Sequence, residues 1–466
     1  MRAAKDWVRR NPAAAGVLAL GALARLLWLG RPSLWSDEAV TLMIARQPAS
    51  DIPGLVASLE TTPALHFLLM RFWLPPWPDA MIGLRLFSAL CGIAALPLYW
   101  SLCRRLAPAA ATLAFFLGAF SSLWIHGAQT GRCYSLVLLL AAGQMLVALR
   151  LREGWSGREA LLYAALAACG LYTHYFYGFF LLGLFVNPPE RKRLAPWLAA
   201  HAAAGLCFMP GLLAALAQRR MALGIWFQNE PLNAVTLGRL LGSFLFDPAY
   251  MALALPRTLL AIGLAAATLG AAGVWRLKSE LRFCLVNIAV PLAAAAVVGW
   301  INGKPAFQAR YLIFLGLSVY PLLALSAERA LKGPWSAVAR IGLAGAAICG
   351  TCAYFASNLV FDPRLDALSA FVRRASPADE PVVHWGALEY AALRSHYLPE
   401  RRHLLLDLTP GDGRYARLPG YRGVIEPAEL SALGKIVVID PERRVFAHRV
   451  GETTGPELLR LVKDKP

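Results

Sequence analysis

The feature that most constrains this chain is a series of long apolar runs between Gly16 and Phe355. Many of them reach the ~20 residues that a helix needs to cross the hydrocarbon core of a bilayer. Hydrophobic residues make up 58% of the 466 residues, whereas roughly half is usual for soluble domains. Because backbone amides in lipid must be hydrogen-bonded within the chain, these runs predict membrane-spanning α-helices.

The apolar runs predict about eleven crossings. They cover residues 13–30, 82–102, 108–126, 132–150, 160–173, 175–186, 195–217, 252–275, 282–301, 309–328 and 336–358. Residues 61–73 and 234–250 are amphipathic and are expected to form helices along the membrane interface. Residues 160–186 are expected to form a hairpin with His174 and Tyr175 at its outer tip.

The distribution of charge predicts the orientation of the chain. The formal net charge is +18, and lysine and arginine collect in the short loops that the positive-inside rule assigns to the cytoplasm. With an odd number of spans, this places the N-terminus in the cytoplasm and the C-terminus on the outer, periplasmic side. Aromatic and basic residues do not interleave on a soluble face, so we predict no binding to nucleic acid.

Two domains are expected. Residues 1–361 form an α-helical polytopic membrane domain with a first outer loop at 31–81, and residues 362–466 form a small soluble α/β domain of ordinary size. In the second domain, charge rises and the apolar runs shorten to strand length. The expected strands cover residues 381–385, 403–408 and 435–440.

The eight cysteines all lie in or beside apolar segments. Cys349 and Cys352 have CxxC spacing, but within an apolar helix they fit better as small core residues. We therefore predict no disulfide framework and no zinc site. The sequence also shows no compact cluster of ligands for another metal.

An acidic pair, Asp37-Glu38, follows the first span beside Trp35. A carboxylate a few residues beyond the membrane can meet a lipid headgroup and act as a general base for an acceptor hydroxyl. The alternative is a helix start, because Ser36 and Asp37 both suit the N-terminus of a helix.

Three cationic residues, Arg132, Lys304 and Arg310, stand at predicted outer boundaries, against the positive-inside trend. Snorkelling toward lipid headgroups explains each one alone. Together they favour a dedicated anion site, because a guanidinium binds phosphate oxygens through two parallel hydrogen bonds. The polar and aromatic residues expected to line the same cavity are His66, Gln129, Tyr134, His174, Tyr175 and Tyr311; an aromatic belt at the interface is the alternative for the tyrosines.

Six short motifs accompany these residues in order. They are LWSDEA at 34–39, TPALHFLL at 62–69, LRLFSAL at 84–90, QTGRCYSL at 129–136, THYFYGFFLL at 173–182 and ARYLIF at 309–314. Across residues 10–358 this series resembles the GT-C glycosyltransferases, specifically the bacterial family 39 and dolichyl-phosphate-mannose–protein mannosyltransferase-like group. The aminoarabinose and lipopolysaccharide-core sugar transferases belong to the same superfamily.

The resemblance implies a multi-pass enzyme of the bacterial inner membrane with an outward-facing active site. It implies that Asp37 is the catalytic base and that Glu38 fills the adjacent acidic position of the motif. It also implies a sugar donor linked to polyprenyl phosphate, such as undecaprenyl phosphate. The chain departs from the family pattern at Pro63-Ala64, where Pro-Pro is common, and at Gln129, where an acidic residue is common.

The expected reaction is direct transfer with inversion at the anomeric carbon. Asp37 takes the proton of an acceptor hydroxyl on lipopolysaccharide, another glycan or a protein, while Arg132 and Arg310, with Lys304 a weaker candidate, stabilise the leaving phosphate. No cofactor is required, and a divalent metal stays compatible with the scheme.

Two other classes of function are weighed against this one. A transporter or flippase of polyprenyl-linked sugars explains the spans and buried charges, but it explains less well the acidic loop and the lack of internal repeats. A membrane scaffold that binds partners gives no reason for Arg132 and Arg310 to stand at outer boundaries.

Overall fold

The computed structural model describes residues 2–225, 240, 242–244, 279–301, 308–329, 333–360, 365–375 and 379–384, and short segments between residues 396 and 449. The chain divides into two compact units. The first comprises Met1–Leu29, Thr61–His66 and Arg85–Phe361, and the second comprises Gly30–Glu60, Phe67–Leu84 and Asp362–Pro466. Most of the first outer loop thus groups with the C-terminal residues.

The first unit is built from helices. In chain order, those that supply it are α1 (Arg2–Arg10), α2 (Pro12–Leu26), α6 (Ala80–Leu106), α7 (Ala111–Ala119), α8 (Ser122–Gln129), α9 (Tyr134–Glu153), α10 (Gly157–Thr173), α11 (Tyr177–Phe185), α12 (Leu194–Ile225), α13 (Ser279–Ile301), α14 (Gly316–Arg329) and α15 (Pro334–Val360). Within the described residues, five of these helices, α6, α9, α12, α13 and α15, are long and apolar enough to cross a membrane. The short helix Pro108–Ala110 with α7, followed by α8 at a bend of 46°, adds a sixth candidate span.

The predicted spans fall into three groups when they are compared with the helices of the structure. The runs at 82–102, 195–217, 282–301 and 336–358 each lie within one of the five long helices, and the run at 132–150 lies within α9 except for its first two residues. The run at 108–126 is broken between α7 and α8, and residues 160–186 are divided into α10 and α11 by His174–Phe176. The run at 252–275 lies outside the described residues, so the number of eleven stays a prediction.

Aromatic side chains fill the centre of the first unit. The Trp124 ring lies edge-on between Tyr99 and Tyr320, with centroid separations of 4.8 and 5.2 Å. Two glycines make room for it: a Cβ on Gly118 or Gly316 would come within 2.8 or 2.9 Å of the Trp124 ring. Because such contacts are too short for real side chains, these glycines set how closely the helices approach.

The second unit combines short helices with a sheet. Its helices are α3 (Ser36–Ala45), α4 (Ile52–Leu59) and α16 (Leu365–Ala375), and α5 (Leu65–Trp73) contributes residues to both units. Its strands are β1 (Val382–His384), β2 (His403–Leu406), β3 (Val424–Ile425), β4 (Lys435–Ile439) and β5 (Val445–Arg449). The sheet has the order β3-β2-β1-β4-β5, with parallel pairs except for the antiparallel pair of β4 and β5.

The central strand of this sheet is β1, which pairs with β2 and β4 at Val383↔Leu404 and Val383↔Val438. All three residues of β1 are buried, which agrees with the apolar run of the sequence there. The strands expected at 381–385, 403–408 and 435–440 coincide with β1, β2 and β4. Short apolar runs were enough to predict these strands, because strands of a parallel sheet are typically rich in apolar residues along their whole length.

Candidate functional site

Arg132 lies in the short turn between α8 and α9, and its side chain is 6% exposed. The turn is held by its own backbone, since Arg132 N donates to Thr130 O at 2.8 Å. It is also held by α6, because Ser88 Oγ donates to Arg132 O at 3.1 Å. The backbone that carries the Arg132 side chain is therefore held by two hydrogen bonds, one within the turn and one from α6.

His66, on the first turn of α5, lies beside this turn. Its side chain is 2% exposed, and its ring packs against Phe87 of α6 at a centroid distance of 6.1 Å. Burial, followed by the Arg132 charge, lowers the pKa of His66 to about 3, although a hydrogen bond with the Gly131 backbone acts to raise it. His66 is thus a neutral imidazole next to the Arg132 guanidinium.

His174 caps the end of α10, where its N–H donates to Gly170 O at 3.0 Å. Its Nδ1 accepts a hydrogen bond of 3.2 Å from Phe176 N, so in the neutral ring Nε2 carries the proton. Burial, followed by the charges of Arg132 and Arg310, lowers the pKa of His174 to about 3. His174 can therefore donate a hydrogen bond from Nε2 without carrying charge.

Tyr311 contacts both this histidine and Arg310. Its ring lies 5.2 Å from the His174 ring and 6.2 Å from the Tyr134 ring, centroid to centroid. The Arg310 guanidinium lies over the Tyr311 ring at 5.2 Å, a geometry that is favourable between a cation and a π-face. Phe176 closes the group, with its ring 5.3 Å from that of Tyr311.

The resulting cluster, called here the cationic cluster, comprises His66, Arg132, Tyr134, His174, Arg310 and Tyr311. Four segments of the chain supply it, and all belong to the first unit. Two guanidinium groups beside two uncharged imidazoles and two phenols make a site for an anion with hydroxyl groups attached. Among the described residues, no group of three or more histidine, cysteine or acidic side chains is placed to hold a metal ion.

Two residues expected in the cavity, Gln129 and Tyr175, make hydrogen bonds with other parts of the first unit. The Gln129 amide donates to Ala24 O at 2.9 Å and Leu27 O at 2.6 Å, and its oxygen accepts from Tyr354. This side chain ties three helices together. The Tyr175 hydroxyl donates to Gln218 Oε1 at 2.6 Å, toward α12. Lys304 lies outside the described residues.

The acidic pair lies on the first turn of α3, in the second unit. Glu38 is 1% exposed, and its Oε2 accepts a hydrogen bond of 3.0 Å from Trp35 N, so it caps the helix. Asp37 is half-buried, and its carbonyl accepts from Thr41 Oγ1 at 2.8 Å. The helix start that was the alternative for this motif is therefore present, and the part of Asp37 in catalysis stays a prediction.

Sequence reasoning assigned no role to three further residues of the first unit. Phe176 packs on Tyr311, Ser88 holds the turn of Arg132, and Arg25 is fully buried within α2. Phe176 and Ser88 stand inside quoted motifs without any distinguishing property. Arg25 does carry a signal, because a lone arginine inside an apolar run is costly in lipid and usually has a function.

These features define a membrane protein with several candidate spans, a cationic cluster in its helical unit and a second unit that contains a sheet. No protein-family model matches the chain, and no curated protein matches its sequence. Two solved structures of ArnT from Cupriavidus metallidurans do match, one bound to undecaprenyl phosphate and one in the apo state.

The likeness to ArnT extends over nearly the whole of both chains. The bound structure has a TM-score of 0.62 and 12% identity, and the match covers 92% of this chain and 93% of that one. The apo structure has a TM-score of 0.60 and 12% identity, with coverages of 94% and 93%. ArnT is a GT-C glycosyltransferase, so the likeness confirms the fold that the six motifs predicted.

Proposed function

We propose that this chain is a glycosyltransferase of the bacterial inner membrane that moves a sugar from a polyprenyl-phosphate carrier to a periplasmic acceptor. The observation that carries the proposal is the approach of Arg132 and Arg310 to His174 in a chain with the fold of ArnT. One ArnT structure holds undecaprenyl phosphate, and paired guanidinium groups suit such a phosphate.

The carrier phosphate would lie between Arg132 and Arg310. As the bond from the sugar to the phosphate breaks, negative charge grows on the leaving oxygen, and prearranged cations stabilise it. Donors of this kind are typically worth about 3 kcal/mol each in the transition state. Lys304 is a further candidate for the same role.

The neutral histidines would orient uncharged hydroxyl groups of the sugar or of the acceptor. In His174, Nδ1 accepts from Phe176 N, which leaves Nε2–H as the donor, and His66 also lies near Arg132. Since both stay uncharged near neutral pH, neither protonates the leaving phosphate. That phosphate leaves as an anion, and Arg132 and Arg310, with Lys304 as a further candidate, balance its charge.

Asp37 would act as the base. Its carboxylate takes the proton of the acceptor hydroxyl, the acceptor oxygen forms a bond to the anomeric carbon, and the bond from that carbon to the phosphate oxygen breaks. One displacement inverts the configuration. The products are the glycosylated acceptor, the polyprenyl phosphate and a protonated Asp37, which then loses its proton to water.

The finer assignments rest on the motifs. They favour a family 39 or mannosyltransferase-like enzyme with a glycan, lipopolysaccharide or protein as acceptor. They also favour a cytoplasmic N-terminus and a periplasmic C-terminal domain. A flippase of polyprenyl-linked sugars is the rival, and it would use the same cationic cluster without Asp37.

Two measurements separate these functions. Undecaprenyl phosphate binding to the purified protein in detergent should be strong for the native chain and for Asp37→Asn, and weak for Arg132→Gln with Arg310→Gln. Mass spectrometry of envelope glycans in a deletion strain should show a lost modification that the native gene restores and Asp37→Asn does not.

Two control variants test whether the effects are specific to Asp37 and to the two arginines. Asp51→Asn changes an exposed carboxylate of the same unit, and Arg105→Gln changes an exposed arginine paired with Glu153; both should behave as the native chain does. Full restoration by Asp37→Asn overturns the base and favours a flippase. A native chain that does not bind undecaprenyl phosphate overturns the proposed function itself.

A further inference from the structure

The broken span formed by α7 and α8 has an unusual set of partners at its break. The break frees two backbone carbonyls, Ala119 O and Phe120 O, which would otherwise accept within a continuous helix. Arg25 Nη1 donates to Ala119 O at 3.0 Å, and Thr351 Oγ1 donates to Phe120 O at 2.7 Å. Backbone groups freed inside a membrane protein need such partners from neighbouring helices.

The start of α8 is fixed at the same place. Ser121 caps the helix by accepting from Trp124 N at 3.2 Å, and the Tyr320 hydroxyl is hydrogen-bonded to Ser121 Oγ at 2.6 Å. Side chains from α2, α14 and α15 thus converge on one bend. They set the direction in which α8 leaves it.

The other end of α8 returns to the same turn of α2. Gln129, its last residue, donates to Ala24 O and Leu27 O, while Arg25 holds the residue before the bend. The four residues Ala24–Leu27 therefore bond to the last residue of α7 and to the last residue of α8, on both sides of the bend and α8. We call this set of contacts the α2 clamp.

Burying the Arg25 guanidinium in this clamp costs folding free energy. Its side chain is fully buried, and Nη1 also donates to Gly21 O at 2.7 Å. Within the part of the chain that the structure describes, Nε and Nη2 have no hydrogen-bond partner. A buried guanidinium in this state is destabilising compared with an apolar side chain of similar length. Folding alone does not favour an arginine here.

The surrounding helices are shaped to admit this side chain. A Cβ on Gly92 of α6 would come within 3.3 Å of Arg25 Cδ and within 2.8 Å of Ala128 Cβ. Gly92 therefore lets α6 lie against both Arg25 and α8. The arginine is built into the contact between α2, α6 and α8.

The α2 clamp is connected to the cationic cluster through the end of α8, which lies three residues before Arg132. Thr130 N and Thr130 Oγ1 both bond to His126 O in α8, at 2.9 and 2.8 Å, and Arg132 N bonds to Thr130 O. No flexible segment separates the end of α8 from Arg132. A change in the direction of α8 is therefore passed to the Arg132 guanidinium.

From this geometry we propose that Arg25 is a positioning residue for Arg132, and so for the carrier phosphate. The inference rests on the proposed function. Arg25 touches neither substrate nor reacting atoms; it acts through the bend and through α8.

The test is a double-mutant cycle read by undecaprenyl phosphate binding to the full chain in detergent. Arg25→Met should weaken binding roughly tenfold, the usual size of losing one well-placed charged contact. Arg25→Lys, which keeps a donor for Ala119 O, should restore affinity to within about threefold. In the Arg132→Gln background, Arg25→Met should cause no further loss, because residues that act through one another are not additive.

Two further variants complete the design. Arg340→Met removes an exposed arginine paired with Glu328, and it should bind as the native chain does. Thr351→Val removes the second partner of the bend with little change in volume. It should weaken binding about threefold, which keeps the idea testable if Arg25→Met is poorly folded.

The outcomes separate the two proposals. Native affinity in Arg25→Met or Thr351→Val, at an unchanged thermal midpoint, overturns the positioning role and leaves the proposed function intact. Losses that multiply in the double variant also overturn it, because Arg25 would then act independently of Arg132. Absence of binding by the native chain overturns the proposed function instead.

Discussion

The Tyr354 hydroxyl lies 2.9 Å from the carboxamide oxygen of Gln129, to which it donates a hydrogen bond. With the two carbonyls of α2 that accept from the same amide, this bond joins α15, α8 and α2. Tyr354→Phe should therefore cost about 1 to 3 kcal/mol of folding free energy, because it leaves the buried Gln129 oxygen without a donor. A lower midpoint of thermal unfolding in detergent would show this loss.

Gln129→Glu should lower the midpoint of thermal unfolding more than Tyr354→Phe does. The new carboxylate would face the carbonyl oxygens of Ala24 and Leu27 in place of an amide N–H, which is repulsive in a buried setting. Tyr172→Phe is the control, because that hydroxyl bonds to Cys207 O at an exposed position. Equal midpoints in all three variants would remove Gln129 from the structural role described here.

The two carboxylates of the acidic pair should respond differently to amidation. Glu38→Gln keeps an oxygen for Trp35 N, so restoration of the envelope glycan should be close to native, whereas Asp37→Asn should restore nothing. Glu38→Ala should cost about 1 kcal/mol, the usual value of a lost helix cap. If Glu38→Gln restores as little as Asp37→Asn, then Glu38 takes part in the proton transfer.

His174 should remain uncharged at mildly acidic pH. Its pKa is lowered to about 3 by burial and by Arg132 and Arg310, so nitrogen NMR of histidine-labelled protein should show a neutral ring with the proton on Nε2 at pH 5. Arg132→Gln removes one of these causes and should raise the pKa. The same protein in denaturant gives the reference, near the ordinary 6.5. A charged ring at pH 5 in the native chain contradicts the prediction.

The C-terminal sheet should lose stability in acid. His384 Nε2 lies 2.7 Å from His403 Nδ1 between β1 and β2, and burial followed by the His403 charge holds the pKa of His384 well below 6.5. The unfolded chain binds protons below about pH 6.5 while the folded His384 does not, so stability is present above that pH and falls as the pH drops. The loss is up to about 1.4 kcal/mol per pH unit for one histidine.

Hydrogen exchange measures this acid sensitivity. Strands β1 and β2 should exchange faster at pH 5 than at pH 7 after correction for intrinsic rates. His384→Leu, which has no proton to bind, should flatten that difference. An equal acid response in His384→Leu would show that another group is responsible.

Much of the fold could be predicted from composition along the chain. Lipid requires apolar runs of spanning length, so the runs at 82–102, 132–150, 195–217, 282–301 and 336–358 marked helices that the structure contains. The break at Phe120 and Ser121 was not predicted. Nothing in an apolar run of that length reveals that Arg25 and Thr351, far away in the chain, satisfy the freed carbonyls.

The candidate site was predicted in part for a similar reason. Arg132 and Arg310 attracted attention because cations at outer boundaries are unusual, and the structure brings both to His174. Gln129 belongs to the same motif as Arg132, but its amide is used by α2 and α15. Position within a motif does not say which way a side chain points.

By itself, the sequence indicated a membrane protein and the positions of its long apolar helices, and it named candidate residues for the chemistry, because these follow from local hydropathy and residue type. Only the tertiary structure decided which of those residues meet. The His174 and Tyr311 rings pack together although they lie more than a hundred residues apart in the sequence, and Arg132 lies near His174. The roles of Gln129 and Arg25 depend on carbonyls of other helices. Such contacts are set by how helices fit together, which no single segment encodes.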